Sequence, residues 1–353
     1  MKKSHVNIPV FIPHLGCPNM CVFCNQRAIS GVSSFSQETA ENLPETAENT
    51  IDKVLSTVRE GTVCEIAFFG GSFTGIDRTL MTGLLDLAQS YVDAGRVSGI
   101  RMSTRPDYID PEILGILKGY TVSAVELGIQ SFSENVLAAC RRGHSPGRSR
   151  AAMTMLREAG IPAVGQMMIG LPGSAPEDEI ACAEEICRLG AAGTRIYPTI
   201  VFRDTRLHRM TEQGLYHPLT LDEAVVRSAA VLDVFVRHGV PCLRIGLCES
   251  ENLHSDASYF AGPNHPSLGE LVSGELYYRR ICAALDRCPP EKGSVLTVAV
   301  PRGDISMAVG QKRKNKIRIE IKYSVKSVKF IEKDNFPRYN IEINKNGEET
   351  ACI

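Results

Sequence analysis

Tryptophan is absent from the 353 residues, and that absence carries no functional reading. Other absences exclude more. No run approaches the roughly 20 apolar residues of a membrane-spanning helix, so no membrane role is expected. Met1-Lys2-Lys3-Ser4-His5 opens with two lysines, but no apolar stretch of the kind a secretory signal needs follows them. A strong charge of one sign is missing too, since 39 Lys and Arg stand against 40 Asp and Glu. Of the 12 cysteines, three sit close together and the rest are scattered singly. In a chain of this length that pattern suits reduced thiols in the cytoplasm better than a disulfide framework. A hydrophobic share of 43% completes the outline of a soluble globular chain, for which the length prior is about two domains.

The three close cysteines are Cys17, Cys21 and Cys24, at the spacing CxxxCxxC, just after an apolar run from Val6 to Ile12 that reads as a strand. Compact thiolates suit zinc or an iron–sulfur cluster. Structural zinc asks for a closed set of four ligands, but no second CxxC pair follows. His14 is the candidate fourth ligand if the metal is zinc. Three protein ligands on a 4Fe-4S cubane instead leave one iron open for a small chelating molecule.

Strand and helix patterns then alternate. Strands are predicted at Cys64–Phe69, Gly99–Thr104, Ser123–Ile129, Ala163–Ile169, Gly193–Val201 and Pro241–Gly246. Between them helices are predicted over Ser36–Arg59 (kinked or split at Pro44), Leu80–Val92, from Asp110-Pro111, over Ser133–Cys140, from Gly143 to Ala159, over Glu177–Leu189 and over Leu221–Arg237. Such alternation specifies an α/β fold of parallel strands with right-handed crossovers. Polar and glycine-rich residues recur just after strand ends: the cysteines, Gly70-Gly71-Ser72, Ser103-Thr104-Arg105, Gln130-Ser131, Gly170 to Gly173 and Tyr197-Pro198. An open doubly wound sheet also gathers its site at strand ends. Many loops converging on one centre favour a full or partial (β/α) barrel. Gly70 and Gly71 let backbone approach a ligand closely, Glu126 and Gln130 offer polar partners for a ribose or amino group, and Arg105 can hold a carboxylate.

Taken together, these residues resemble the radical SAM superfamily. The resemblance implies that Cys17, Cys21 and Cys24 hold a 4Fe-4S cluster whose open iron is chelated by S-adenosyl-L-methionine. It implies reductive cleavage to a 5′-deoxyadenosyl radical, with an electron donor such as ferredoxin or flavodoxin. Phe23 matches the adenine-side position, and Gly70-Gly71-Ser72 resembles the amino-binding Gly-Gly-Glu loop with Ser in place of Glu. Five segments narrow the likeness: Ser103-Thr104-Arg105-Pro106-Asp107, Glu126-Leu127-Gly128-Ile129-Gln130-Ser131, Arg142-Gly143-His144, Ile196-Tyr197-Pro198-Thr199 and Arg244-Ile245-Gly246-Leu247. These are similar to the catalytic-subunit family of Elongator, over about residues 5 to 287. The implied substrate is the wobble uridine of tRNA, with Tyr197 and His265 as substrate candidates. That family continues into an acetyltransferase domain. The short remainder here implies a bacterial relative without that half.

The chain is expected to divide into a barrel over 1–290 and a small basic α+β domain over 291–353. Residues 291–353 carry 13 Lys and Arg against 8 Asp and Glu, whereas residues 1–290 carry 26 against 32. Strand is predicted at Val298–Pro301, helix at Asp304–Gln311 and strand again at Ile317–Tyr323. The segment Ile305 to Asn315 resembles the loop between two helices of a KH module, with Arg313 where that module's second glycine stands. Lys312, Arg313 and Lys314 are therefore candidate contacts to an RNA backbone. Two alternatives stay open. One is a radical SAM enzyme for a small molecule or protein, similar to oxygen-independent coproporphyrinogen oxidase. The other is a zinc-stabilised RNA-binding protein without chemistry.

Overall fold

The computed structural model describes residues 5–12, 15–18, 21–25, 42–247, 255, 257–345 and 348–350. His14 and residues 36–41, the first part of the expected 36–59 helix, lie outside these.

Among the described residues the first half of the chain runs β1 (His5–Phe11), α1 (Leu43–Leu55), β2 (Val63–Phe69), α2 (Arg78–Asp93), β3 (Gly99–Thr104), α3 (Pro111–Leu117), β4 (Val122–Gln130), α4 (Glu134–Ala139) and α5 (Pro146–Glu158). It continues through β5 (Ala163–Ile169), α6 (Pro176–Arg188), β6 (Gly193–Pro198), β7 (Val201–Phe202), α7 (Arg206–Glu212), α8 (Leu221–Arg237), β8 (Cys242–Ile245), β9 (Tyr259–Ala261) and α9 (Leu268–Arg287). Pro44 falls in the first turn of α1, where its missing N–H costs nothing, so it starts that helix rather than kinking it. Asp77 and Asp110 cap α2 and α3, each accepting a backbone N–H at 3.0 and 2.9 Å.

The main sheet has the order β1-β2-β3-β4-β5-β6-β8, with every neighbouring pair parallel. Each strand joins on the same side as the last, with no reversal. Right-handed crossovers then place all the helices on one face, which excludes the doubly wound alternative and leaves a partial barrel. Side chains alternate accordingly. Ile8, Val10, Ile66, Phe68, Ile100, Met102, Val125, Leu127, Met167 and Ile196 point to the helices and are buried in one apolar core. Glu65, Arg101, Glu126, Gln166 and Arg195 take the opposite, concave face.

One contact measures the curvature. Phe69 on β2 and Arg195 on β6 stand four strands apart, about 19 Å across a flat sheet at the usual strand spacing. The Arg195 guanidinium nevertheless lies 5.6 Å from the centre of the Phe69 ring.

A second sheet follows: β10 (Val295–Pro301), α10 (Ile305–Val309), α11 (Lys314–Tyr323), β11 (Ser327–Lys333), β12 (Glu342–Lys345) and β13 (Glu348–Thr350), ordered β11-β10-β12-β13. The segment Ile317–Tyr323, expected as strand, is helix. Its alternating Ile317, Ile319, Ile321 and Tyr323 mimic a half-buried strand, but only Ile319 is buried, while Ile321 is 74% exposed. This unit packs on α9 through a close approach at Gly274, where a Cβ would come within 2.9 Å of the Met307 carbonyl. Buried Asn315 locks the contact by donating to the carbonyls of Gly274 (2.8 Å) and Ala308 (3.2 Å). Leu276, Ile281 and Leu285 on α9 share one continuous core with Val298, Ile319 and Val328.

Candidate active site

The thiol loop sits at the C-terminal edge of the sheet because glycine lets two turns interlock there. Gly16 has φ +65°, and a Cβ on it would lie 2.3 Å from the Ser72 carbonyl oxygen. A Cβ on Gly71 would lie 2.6 Å from the carbonyls of both Ile12 and Leu15. The space expected to admit a ligand at Gly71 is thus taken by the backbone that carries the cysteines. Gly70, at φ +96°, makes the turn. Ser72 is fully buried; its N–H donates to Leu15 (3.1 Å) and its Oγ accepts from the Arg105 backbone (2.9 Å). Further along, the Val22 amide donates to the Cys140 carbonyl (3.0 Å), and the Leu207 amide to Val22 (2.8 Å). Phe23 is half-buried beside Val136, Cys140, Leu171 and Met168.

Cys17, Cys21 and Cys24 are thiols, none in a disulfide. Two arginines crowd them. Arg142, on the turn between α4 and α5, donates from Nη1 to the Cys21 sulfur at 3.5 Å and from Nη2 to the Gly128 carbonyl at 2.7 Å. Arg105 grips Asp107 with two bonds, Nε at 2.9 Å and Nη2 at 2.8 Å. Burial pulls the Arg105 guanidinium down, but Asp107 and the thiols of Cys17 and Cys21 outweigh it and leave its pKa above the ordinary arginine value. Burial likewise opposes ionisation of Asp107, and Arg105 overcomes it, so that carboxyl titrates below its usual range. Burial, reinforced by Arg142, drives His144 down to about 4, keeping it neutral. Cys140 goes the other way, pushed to about 12 by burial and then by Cys21.

Five polar atoms here are buried without a hydrogen-bond partner: Arg105 Nη1, Arg142 Nε, Gln130 Oε1 and both ring nitrogens of His144. Native interiors rarely leave such groups unmet. Gln130 is also held at φ +68°, a conformation that costs a non-glycine residue about 1–3 kcal/mol and gathers at functional sites. Buried cationic donors beside three thiols fit an anionic cluster with thiolate ligands, and an orphaned donor and acceptor fit a polar cofactor next to it. Among the described residues no three thiol, imidazole or carboxylate groups converge on one ion position. A cubane does not ask for that, because each thiolate binds a different iron.

Glu126 is fully buried on the concave face. Its Oε1 accepts from Arg101 (3.0 Å) and Arg195 (2.8 Å), and its Oε2 from Gln166 (2.9 Å). Arg101 continues to Glu65 (3.1 Å), and Glu65 to His5 (2.7 Å). The Gln166 amide also reaches Ser103 Oγ at 3.3 Å. Tyr197 adjoins Arg195 and helps keep that guanidinium charged. The structure therefore brings Ser103, Glu126 and Tyr197 into one lumen lattice, with both Glu126 oxygens already engaged. His265 is used locally: its Nδ1 accepts the Ser267 amide (3.1 Å) where α9 begins. Lys312, Arg313 and Lys314 line a different cavity of about 380 Å³ with Asp222, Glu270, Gly274 and Glu275.

The sequence reading did not assign Arg101, Asp107, Gln166 or Arg195 to the site. For Arg101, Gln166 and Arg195 the signal was present as charged or amide side chains within otherwise apolar strands, whereas Asp107 sits in the turn after β3.

The Radical SAM superfamily model matches residues 11–186, and the Radical_SAM C-terminal domain model matches 191–278. The chain belongs to the radical SAM superfamily, whose enzymes use a 4Fe-4S cluster and S-adenosylmethionine. That membership displaces the zinc-stabilised alternative. Within the superfamily, the relatives point toward Elongator-type proteins. A tRNA uridine(34) acetyltransferase of Dehalococcoides mccartyi is 24% identical over 261 residues, which cover 65% of this chain and 57% of the relative. An uncharacterized protein of Methanocaldococcus jannaschii is 30% identical over 233 residues, covering 63% of this chain and 69% of that one. The archaeal Elp3 of Methanocaldococcus infernus shares the fold at a TM-score of 0.59 and 19% identity, over 79% of this chain and 64% of that one. The chain thus spans little more than half of the named acetyltransferase. No described helix is long and apolar enough to cross a membrane.

Proposed function

We propose that this enzyme acts on RNA, with the wobble uridine of tRNA as target, and that Cys17, Cys21 and Cys24 bind its cluster. The observation that carries the substrate assignment is kinship with tRNA uridine(34) acetyltransferase. When bound, the cluster and S-adenosylmethionine supply a 5′-deoxyadenosyl radical for hydrogen abstraction.

The chain's own residues divide the remaining work. Gly16 and Gly71 interlock the turns that present the thiols. Arg105 Nη1 and Gln130 Oε1 are the open donor and acceptor for the cofactor, with Phe23, Gly70 and Ser103 proposed as its further contacts. Ser72 and Glu126 serve this wall indirectly, Ser72 by fixing the Arg105 backbone and Glu126 by fixing Arg101 and Arg195. Tyr197 faces the lumen from β6, where a substrate base would enter.

Residues 1–290 act as the catalytic unit and 291–353 as a contact unit for the RNA backbone. Helices α8 and α9 start at the same end of the sheet as the strand C-termini, because each crossover helix runs back against its strand. The loop from Gly310 to Lys314 lies against the first turns of both, so it shares the end on which the thiols stand. Neighbouring carboxylates already meet several basic residues of this loop and of α11: Lys314 pairs with Asp222, Lys316 with Glu320, Arg318 with Glu275 and Lys322 with Asp286. Exposed Lys312 and Arg313 are the ones projected for phosphate contact.

Three measurements test this. Anaerobically reconstituted protein with dithionite should release 5′-deoxyadenosine from S-adenosylmethionine. Nucleoside mass spectrometry of tRNA from a deletion strain should show one missing modification, and an unchanged profile would remove tRNA from the proposal. Full activity after charge reversal of Lys312, Arg313 and Lys314 would favour a small-molecule or protein substrate.

A further inference from the structure

The geometry points to Arg142 as a positioning residue that tunes the cluster through Cys21, an inference that rests on Cys21 being a cluster ligand. Arg142 is 7% exposed, and its guanidinium bridges two partners. Nη2 is anchored on the Gly128 carbonyl at 2.7 Å, and Nη1 donates to the Cys21 sulfur at 3.5 Å. The bridge is built into the sheet. A Cβ at position 128 would fall 2.7 Å from Arg142 Nη2, so the glycine on β4 leaves the guanidinium where it is and a larger residue would displace it. The same turn is stapled to the thiol loop by its backbone, through Val22 N–H to Cys140 O at 3.0 Å. The contact is thus held from both sides and does not depend on a mobile surface arginine.

Its consequence is electrostatic. The oxidised cluster takes one electron from an external one-electron reductant, with no proton, and gains one unit of negative charge. A cationic N–H held on a ligand sulfur stabilises that added charge, and hydrogen bonds to the sulfurs are a recognised control of cluster potential. Arg142 therefore raises the reduction potential and makes the cluster reducible by a biological donor.

The experiment is a potentiometric titration, followed by electron paramagnetic resonance, of the reconstituted full chain without S-adenosylmethionine. The variants are Arg142→Gln, Arg142→Lys and Gly128→Ala. Arg142→Gln should lower the midpoint by on the order of tenfold in the reduced-to-oxidised ratio at fixed potential, about 59 mV for a one-electron couple. Arg142→Lys, which keeps the charge but cannot span Gly128 and Cys21, should fall between that variant and the parent. Gly128→Ala leaves Arg142 in place but displaces its guanidinium, so it should shift the midpoint in the same direction. An unchanged midpoint in iron-replete Arg142→Gln overturns the inference, and should that variant not retain iron, an unchanged midpoint in both other variants does so. Full iron retention by Cys21→Ala would instead overturn the ligand assignment beneath it, a result visible in the iron count alone.

Discussion

At the scale of single residues, two buried groups set testable behaviour. Glu126 is fully buried between Arg101 and Arg195. Removing one member of a buried charge set leaves the others uncompensated, at a cost of about 3–5 kcal/mol. Glu126→Ala should lower the unfolding free energy by that amount, read in urea melts as a lower midpoint with little change in the slope of the transition. His144 gives a pH dependence. Its pKa is depressed to about 4 in the folded protein by burial and then Arg142, against about 6.5 when unfolded. The folded state therefore binds fewer protons than the unfolded state, and stability falls as pH drops from about 6.5 towards 4. The parent protein should lose up to about 3 kcal/mol over that window on this account. His144→Gln should lose correspondingly less between urea melts at pH 7 and pH 4.5.

At the scale of elements, docking of the second sheet onto α9 concentrates on Asn315, whose amide satisfies two buried carbonyls. Leaving such acceptors unmet costs about 1–3 kcal/mol. Asn315→Ala should reduce stability by that amount and expose the Gly310–Lys314 loop to limited proteolysis before the barrel is cut. How far the elements were legible follows from the same physics. Period-two patterning found β3 and β4, because each buries a whole apolar face, Ile100 and Met102 or Val125 and Leu127. It failed at Ile317–Tyr323, where the alternation is real but the isoleucines are mostly exposed. There the i,i+4 pair of Lys316 with Glu320 and the burial of Asn315 and Ile319 support a helix. The thiol loop was legible because its chemistry lies in one short stretch. Arg142 beside Cys21 was not, since 121 residues separate them and only the fold's closure joins them.

At the scale of the whole molecule, the charge surplus of the last 63 residues is smaller in effect than in count. Half of the basic side chains between Lys312 and Lys329 meet carboxylates, two of these on α9. Binding to single-stranded RNA should therefore depend chiefly on Lys312 and Arg313. Replacing both with Gln should flatten the log–log salt dependence of binding by about 1.4, at roughly 0.7 per phosphate contact. Fluorescence anisotropy across a potassium chloride series measures this, and 5′-deoxyadenosine release without RNA should stay at the parent level.

Among the described residues the strand order β1-β2-β3-β4-β5-β6-β8 leaves the first and last members of the main sheet unjoined. A sealed ring can be entered only from its ends, which suits compact molecules. A cylinder slit along its length accepts a guest laid in from the flank, so the RNA substrate proposed above would need no free end threaded to bring one nucleotide into the interior.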